Sequence, residues 1–263
     1  MKNIYVNGCS FSSGHHSLLD RNGKVWSDHL KDNYHVINES LSGGSSFRSL
    51  RMCINKALEQ NTTLKDGKII LQNPSIDTII CQLTAPDRGE IWINEMGDYL
   101  SYQSHRFIYA EELLPKLKEM GIVRDDNKPE TISDQNGRTI EEIYNLKIVH
   151  YVRTELTTYD DTQLQLASLC NTLQIVCNAV GIKLLLCAMS NRCVPGWVAE
   201  DGKPVSKNPY KIGTSKMPIP YFAKPFSQVF VHPSMVESDT DAHPNEEGHK
   251  VIYRYILSEL GKL

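Results

Sequence analysis

Asn178-Ala179-Val180-Gly181-Ile182-Lys183-Leu184-Leu185-Leu186-Cys187-Ala188-Met189 joins the end of one element to the most apolar run of the chain. Upstream of it, Leu164, Ala167, Leu169, Leu173, Ile175, Val176 and Val180 form the apolar positions of a long amphipathic helix. Asp160 or Asp161 suits its N-cap, and Gly181 suits its end, where a left-handed residue is commonly needed. Downstream, Leu184 to Met189 is apolar without alternation, the pattern of a strand buried on both faces. A helix delivering such a strand points to a parallel sheet covered by helices on both sides.

The same alternation extends outward in both directions. Ile4-Tyr5-Val6 reads as a short buried strand ended by a polar turn at Asn7-Gly8, with Ser10, Ser12, Ser13 and Gly14 following. Val25 to Leu30 reads as a helix, His35-Val36-Ile37 as a strand, and Ser42-Gly43-Gly44-Ser45-Ser46 as a loop feeding a helix from Phe47 to about Leu58. Thr78 to Leu83 is the next strong strand, Gln228 to Val231 a last short one, and Pro244 to Leu260 a closing amphipathic helix. Two stretches break the rhythm. Residues 90–160, with helices expected over 110–120 and 140–153, read as an insertion, and residues 191–227 read as a second long loop of the functional kind. The expectation is one α/β domain over residues 1–263 with a central parallel sheet and two insertions.

Composition removes several classes of function. The 28 basic and 31 acidic residues are well mixed, for a net charge of −3, and no basic block is present to track a phosphate backbone. Nucleic acid is therefore not an expected partner. The seven cysteines are odd in number and never spaced Cys-x-x-Cys, so they read as reduced, buried thiols. No signal-peptide pattern opens the sequence and no run approaches the ~20 apolar residues of a membrane span. A cytoplasmic protein without a membrane partner is expected, a setting that a phage particle would also satisfy.

In parallel α/β sheets, reactive groups gather at the carboxyl ends of the strands. Ser10, Gly43, Thr84 and Asp241-Ala242-His243-Pro244 all fall at such ends. A serine hydroxyl becomes a competent nucleophile when a base takes its proton, and the base works best when a carboxylate orients it. Ser10, His243 and Asp241 supply the three parts. A serine in a glycine-rich turn is usually a turn residue, and Asp241 can instead cap the last helix with Pro244 as its first residue. The joint occurrence tips Ser10 to catalysis.

Cys9 is a rival nucleophile by chemistry, but neighbours at a strand end point in opposite directions, which favours a buried structural thiol. His15-His16, His243 and His249 lack metal-ligand spacing, so neither metal nor cofactor is expected. Arg88 and Glu90 can pair with each other and shape the pocket, or Arg88 can contact substrate. Trp92, Trp197, Tyr210, Tyr221 and Phe222 fall in or beside the insertions, where packing is the plainer reading and stacking on sugar rings the functional one.

Four blocks in this order resemble the SGNH or GDSL hydrolase superfamily, whose members are mostly esterases, lipases, thioesterases and carbohydrate deacetylases. Gly8-Cys9-Ser10-Phe11-Ser12 is similar to the block usually written Gly-Asp-Ser, with Cys9 in place of the aspartate, and looks like phage and bacterial members with a Gly-Cys-Ser-Phe opening. Asn38 to Ser46 resembles the second block, which assigns an oxyanion contact to the Gly43 N–H. Gln82-Leu83-Thr84-Ala85 stands where the family has Gly-x-Asn-Asp, so the third oxyanion donor falls to Thr84 or Arg88. Asp241-Ala242-His243-Pro244 is one residue shorter than the usual Asp-x-x-His-Pro.

The resemblance implies a three-layer α/β/α, flavodoxin-like fold. It also implies hydrolysis of a small-acyl ester, such as a carbohydrate O-acetyl group, by Ser10, His243 and Asp241, with Ser10, Gly43 and Thr84 around the oxyanion and Arg88 on the substrate. A non-catalytic module on the same fold, and acyl transfer to another alcohol, are the competing readings.

Overall fold

The computed structural model describes residues 1–14, 18, 22–65, 68–71, 75–84, 88–93, 98–103, 106–108, 159–190, 193–195, 211–212, 215–216, 220–230, 232–238 and 241–263. The helices expected over 110–120 and 140–153 lie outside these residues.

Four parallel strands form the central sheet: β1 (Asn3–Asn7), β2 (His35–Asn38), β5 (Thr78–Leu83) and β9 (Lys183–Ala188), in the order β2-β1-β5-β9. Ile4 aligns with Val36 on one side and Thr78 on the other, and Thr78 aligns with Lys183. This is the flavodoxin-like order for four strands. The chain steps outward from β1 to β2, then reverses across β1 to reach β5. The reversal leaves a crevice at the carboxyl ends of β1 and β5.

The side chains alternate as the pleat requires. Tyr5, Ile79, Cys81, Leu83, Leu184 and Leu186 share one core with Leu50, Cys53 and Ala57 and with Leu166, Cys170 and Leu173. The first trio belongs to a helix over Ser46–Asn61 and the second to one over Tyr159–Val180. Ile4, Val6, Ile80, Leu185 and Cys187 face the other way, onto Trp26, Leu30, Ile252 and Ile256. The helices there are Trp26–Leu30 and Glu246–Leu260. With a one-turn helix over Ser10–Ser13, these are α1 (Ser10–Ser13), α2 (Trp26–Leu30), α3 (Ser46–Asn61), α4 (Tyr159–Val180) and α5 (Glu246–Leu260). Helices thus cover both faces in three layers. All seven cysteines are unpaired and buried. Burial pushes the thiols of Cys170, Cys177 and Cys187 well above their ordinary range, which leaves them inert.

The structure departs from the sequence reading in four places. The strand expected over Gln228 to Val231 is not formed at Gln228 to Phe230, Val231 lying outside the described residues: Pro225 precedes a 3-10 turn over Phe226–Gln228, and the Phe226 carbonyl accepts the N–H of both Val229 and Phe230. The outer edge of β9 is instead met by a single parallel bridge from Leu186 to Phe222. α4 begins at Tyr159, which puts Asp160 and Asp161 inside its first turn rather than at its cap. A hairpin of β3 (Thr62–Lys65) and β4 (Lys68–Leu71) follows α3 directly. The first insertion opens as an antiparallel meander of β6 (Gly89–Ile93), β7 (Asp98–Gln103) and β8 (Arg106–Ile108).

Two small hairpins complete the described elements, β10 (Lys211–Ile212) with β11 (Ser215–Lys216) and β12 (Val236–Ser238) with β13 (Asp241–Pro244). No helix among the described residues is long and apolar enough to cross a membrane.

Candidate active site

Strand β1 ends in a turn that aims Ser10 at the crevice. The Cys9 carbonyl accepts the N–H groups of Ser12 and Ser13 at 2.8 and 2.9 Å, and Gly14 closes α1 at φ 93°. Beneath the turn lies Gln82, fully buried in β5. Its Oε1 accepts the Cys9 N–H and the Ser12 hydroxyl, each at 3.1 Å, and its Nε2 donates to the Leu83 carbonyl at 2.6 Å. Gly8 is required here because a Cβ would come within 2.6 Å of Gln82 Oε1. Cys9 is fully buried, with its sulfur 3.3 Å from Gln82 Nε2, in agreement with a structural thiol. The holding role of Gln82 was missed from the sequence, where it stood only as a departure from the third block.

The Gly43 loop is fastened to the same turn. Leu41 N–H donates to the Gly8 carbonyl at 3.0 Å, Gly44 N–H to the Leu41 carbonyl at 2.8 Å, and Gly43 takes φ 77°. Among the described residues, the N–H groups of Ser10 and Gly43 have no acceptor. Ser45 Oγ caps α3 by accepting Arg48 N–H. Ser46 Oγ accepts Thr84 N–H at 2.9 Å and donates to the Thr84 carbonyl at 3.1 Å, locking the end of β5 to the start of α3. Thr84 Oγ1 itself is buried without a partner.

Arg88 Nη1 reaches the Gly44 carbonyl at 3.5 Å, and Arg88 Nε is buried without a partner. Of the two readings of Arg88, the ion pair with Glu90 does not form. Glu90 turns to α3 and takes both ends of the Arg51 guanidinium, at 2.8 and 3.2 Å.

His243 comes from the other end of the chain. Its Nε2 lies 2.9 Å from Ser10 Oγ across 233 residues of sequence, and its ring packs against Phe11 with centroids 5.4 Å apart. Ser10 is only 3 % exposed, whereas His243 is partly exposed. Asp241 stands two residues before His243 in β13, its backbone paired with Ser238. The Asp241 side chain lies outside the described residues, as do Asp239, His15, His16, Trp197, Tyr210 and the side chain of Trp92. Tyr221 is exposed, and Phe222 packs on the sheet edge.

Neither Asp241 nor Pro244 starts the closing helix. Pro244 belongs to β13, and Asn245 is the N-cap of α5, its Oδ1 accepting the N–H of Glu247 and Gly248, both at 3.1 Å. Asn245 Nδ2 donates to the carbonyls of Ser234 and Val236 at 2.8 and 3.0 Å. One side chain thereby joins the hairpin carrying His243 to the helix behind it. On α5, His249 is buried and accepts a long 3.4 Å bond from Trp26 N–H at Nδ1. Burial, reinforced by His29, pushes its imidazole down to about 3, against the pull of Asp28.

No protein-family model and no curated protein sequence matches this chain. Among solved structures, that of TesA is similar over 98 % of this chain and 98 % of its own, with a TM-score of 0.44 and 13 % identity. The psychrotrophic esterase EstA from a Pseudoalteromonas species, inhibited by monoethylphosphonate, is similar over 100 % of this chain and 98 % of its own, at 0.41 and 12 %. Likenesses this loose carry no weight for the chemistry, which rests on the residues themselves.

Proposed function

We propose that this protein is a serine ester hydrolase of the SGNH type, with Ser10 as nucleophile, His243 as general base and acid, and Asp241 as its orienting carboxylate. The contact of 2.9 Å between Ser10 Oγ and His243 Nε2 carries the reading. With the imidazole proton on Nδ1, Nε2 accepts the hydroxyl proton as Oγ bonds to the ester carbonyl carbon. The carbonyl oxygen then becomes an oxyanion. It is received by the N–H groups of Ser10 and Gly43, backbone donors without an acceptor among the described residues, with Thr84 as a third donor. Collapse breaks the bond to the alcohol, which leaves with the proton from His243. Water, deprotonated by the same histidine, releases the acid and restores Ser10.

β13 holds Asp241 and His243 two residues apart in an extended segment, the short spacing of the Asp-x-His form. The substrate that fits is a small-acyl ester on a polar alcohol, with a carbohydrate O-acetyl group as the leading member of that class.

Release of p-nitrophenol from p-nitrophenyl acetate, together with phosphonate labelling, tests the reading. Turnover and labelling should both fall more than about a thousandfold in Ser10→Ala. Turnover that persists in Ser10→Ala would remove Ser10 from the chemistry. Absence of both in the native protein would favour a binding module on the same fold, and product analysis with a competing alcohol separates hydrolysis from acyl transfer.

A further inference from the structure

Two hydrogen-bond donors tied to the loop that carries Gly43 have nothing to bind among the described residues. Thr84 Oγ1 is fully buried without a partner, and Arg88 Nε is a buried N–H in the same condition. The rest of the Arg88 guanidinium makes one contact, to the Gly44 carbonyl at 3.5 Å, the outer limit of a hydrogen bond. Its obvious carboxylate, Glu90, is taken by Arg51, and Glu39 is taken by Lys56. Among the described residues no carboxylate pairs with Arg88. A part-buried guanidinium left without a counter-charge is costly, and folds rarely keep one unless something else supplies the charge.

The two donors are tied to one short segment. Thr84 is bonded through its backbone to Ser46, and Arg88 to Gly44. The loop leading into that segment is fastened to Gly8 through Leu41, two residues before Ser10. Both donors therefore border the place where an ester carbonyl must lie for Ser10 to attack it.

We infer that Arg88, beside the Thr84 hydroxyl that serves the oxyanion, forms a carboxylate-recognising subsite, so that the enzyme selects esters carrying a negative charge near the scissile carbonyl. The inference rests on Ser10 being the nucleophile. A planar guanidinium with a free edge matches a carboxylate, and a site built to bond a polar group discriminates sharply against a substrate that lacks it. An O-acylated sugar acid is the carbohydrate form of such a substrate.

Two pairs of esters that differ only by a carboxylate in place of a methyl group read the selection, with acid release followed by titration at constant pH. Monoethyl glutarate against ethyl valerate places the charge on the acyl side. O-acetyl-lactate against isopropyl acetate places it on the alcohol side. In at least one pair the charged ester should have a kcat/KM higher by about tenfold or more. Arg88→Met should bring that ratio to one or below, and Arg88→Lys should keep part of it.

The ratio does not depend on how much of a variant is folded, and Arg88→Lys serves if the methionine variant is insoluble. A wild-type ratio near one in both pairs, with Ser10 still labelled by phosphonate, would overturn the subsite and leave the esterase reading intact. An equal loss for both members of a pair in Arg88→Met would make Arg88 a brace for the Gly44 loop and overturn the inference. Failure of Ser10 to label would overturn the esterase reading and this inference with it.

Discussion

The turn from Gly8 to Gly14 and the hairpin from Val236 to Asn245 each deliver one half of the Ser10–His243 pair, by opposite means. The turn grows from a central strand of a parallel sheet and is gripped from below by buried Gln82. The hairpin belongs to a two-stranded sheet of its own, and its register shifts between Val236 and Ser238. It is pinned chiefly by the side chain of Asn245. Ser10 is thus fixed by the core, whereas His243 is fixed by a clip at the surface. Two-stranded ribbons have little stability of their own, so the clip matters as much as the strands it holds.

If the core fixes Ser10, Gln82→Leu should produce the largest change. Cys9 N–H and the Ser12 hydroxyl would lose their shared acceptor inside the protein, at about 1–3 kcal/mol each. We expect the unfolding midpoint in urea to drop accordingly and kcat to fall about a hundredfold with little change in KM, because the loss concerns where Oγ sits and not what the pocket holds. A destabilised variant with an unchanged kcat would show that β1 alone sets the serine, and the contrast between the two regions would shrink.

This contrast also explains what the sequence made legible. Leu184 to Ala188 reads directly as a strand of the parallel sheet because burial on both faces removes alternation. The meeting of Ser10 and His243, at 2.9 Å, was legible from chemistry, since a serine turn and an Asp-x-His-Pro segment have few other reasons to coexist in one chain. Gln82 was not found, because a polar residue inside Thr78-Ile79-Ile80-Cys81-Gln82-Leu83 looks like a flaw in a strand until its partners, 70 and 73 residues away, are known. The β3–β4 hairpin carried a readable signal, Asp66-Gly67 between two runs of strand formers. β12 and β13 carried none: Glu237, Ser238, Asp239, Thr240 and Asp241 are polar, and their pairing comes from Asn245 and α5 rather than from an apolar pattern.

Asn245 is the test of the surface clip, with a smaller expected effect. Asn245→Ala removes the α5 cap, worth about 1 kcal/mol, together with both bonds to the hairpin. Asn245→Asp keeps the acceptor that caps the helix and loses the Nδ2 donors to Ser234 and Val236. Thermal or urea unfolding should show the alanine variant clearly weakened and the aspartate variant close to wild type. Both should lose kcat by roughly tenfold, because His243 needs the hairpin held in place for its ring to meet Ser10. An aspartate variant with full activity would mean that the strand pairing of β12 and β13 suffices, and His243 would then be as firmly built in as Ser10.

The smallest effect lies one helical turn beyond the clip, at His249. Its imidazole is held neutral by burial, down at about 3 from an ordinary value of 6.5. A base with a depressed folded value gives stability that is complete above the unfolded value and is lost as pH falls toward the folded one, because the unfolded chain binds the proton first. Between pH 7 and about 5.5 this one group should remove about 1 kcal/mol. His249→Gln keeps an acceptor near Trp26 N–H and cannot be protonated, so its urea midpoint should decline less over the same interval, and the gap between variant and wild type should close by that amount. Parallel declines would show that water reaches His249 in the folded state. The first turns of α5 would then be looser than their burial indicates, and the looseness would extend to the Asn245 clip and the hairpin that carries His243.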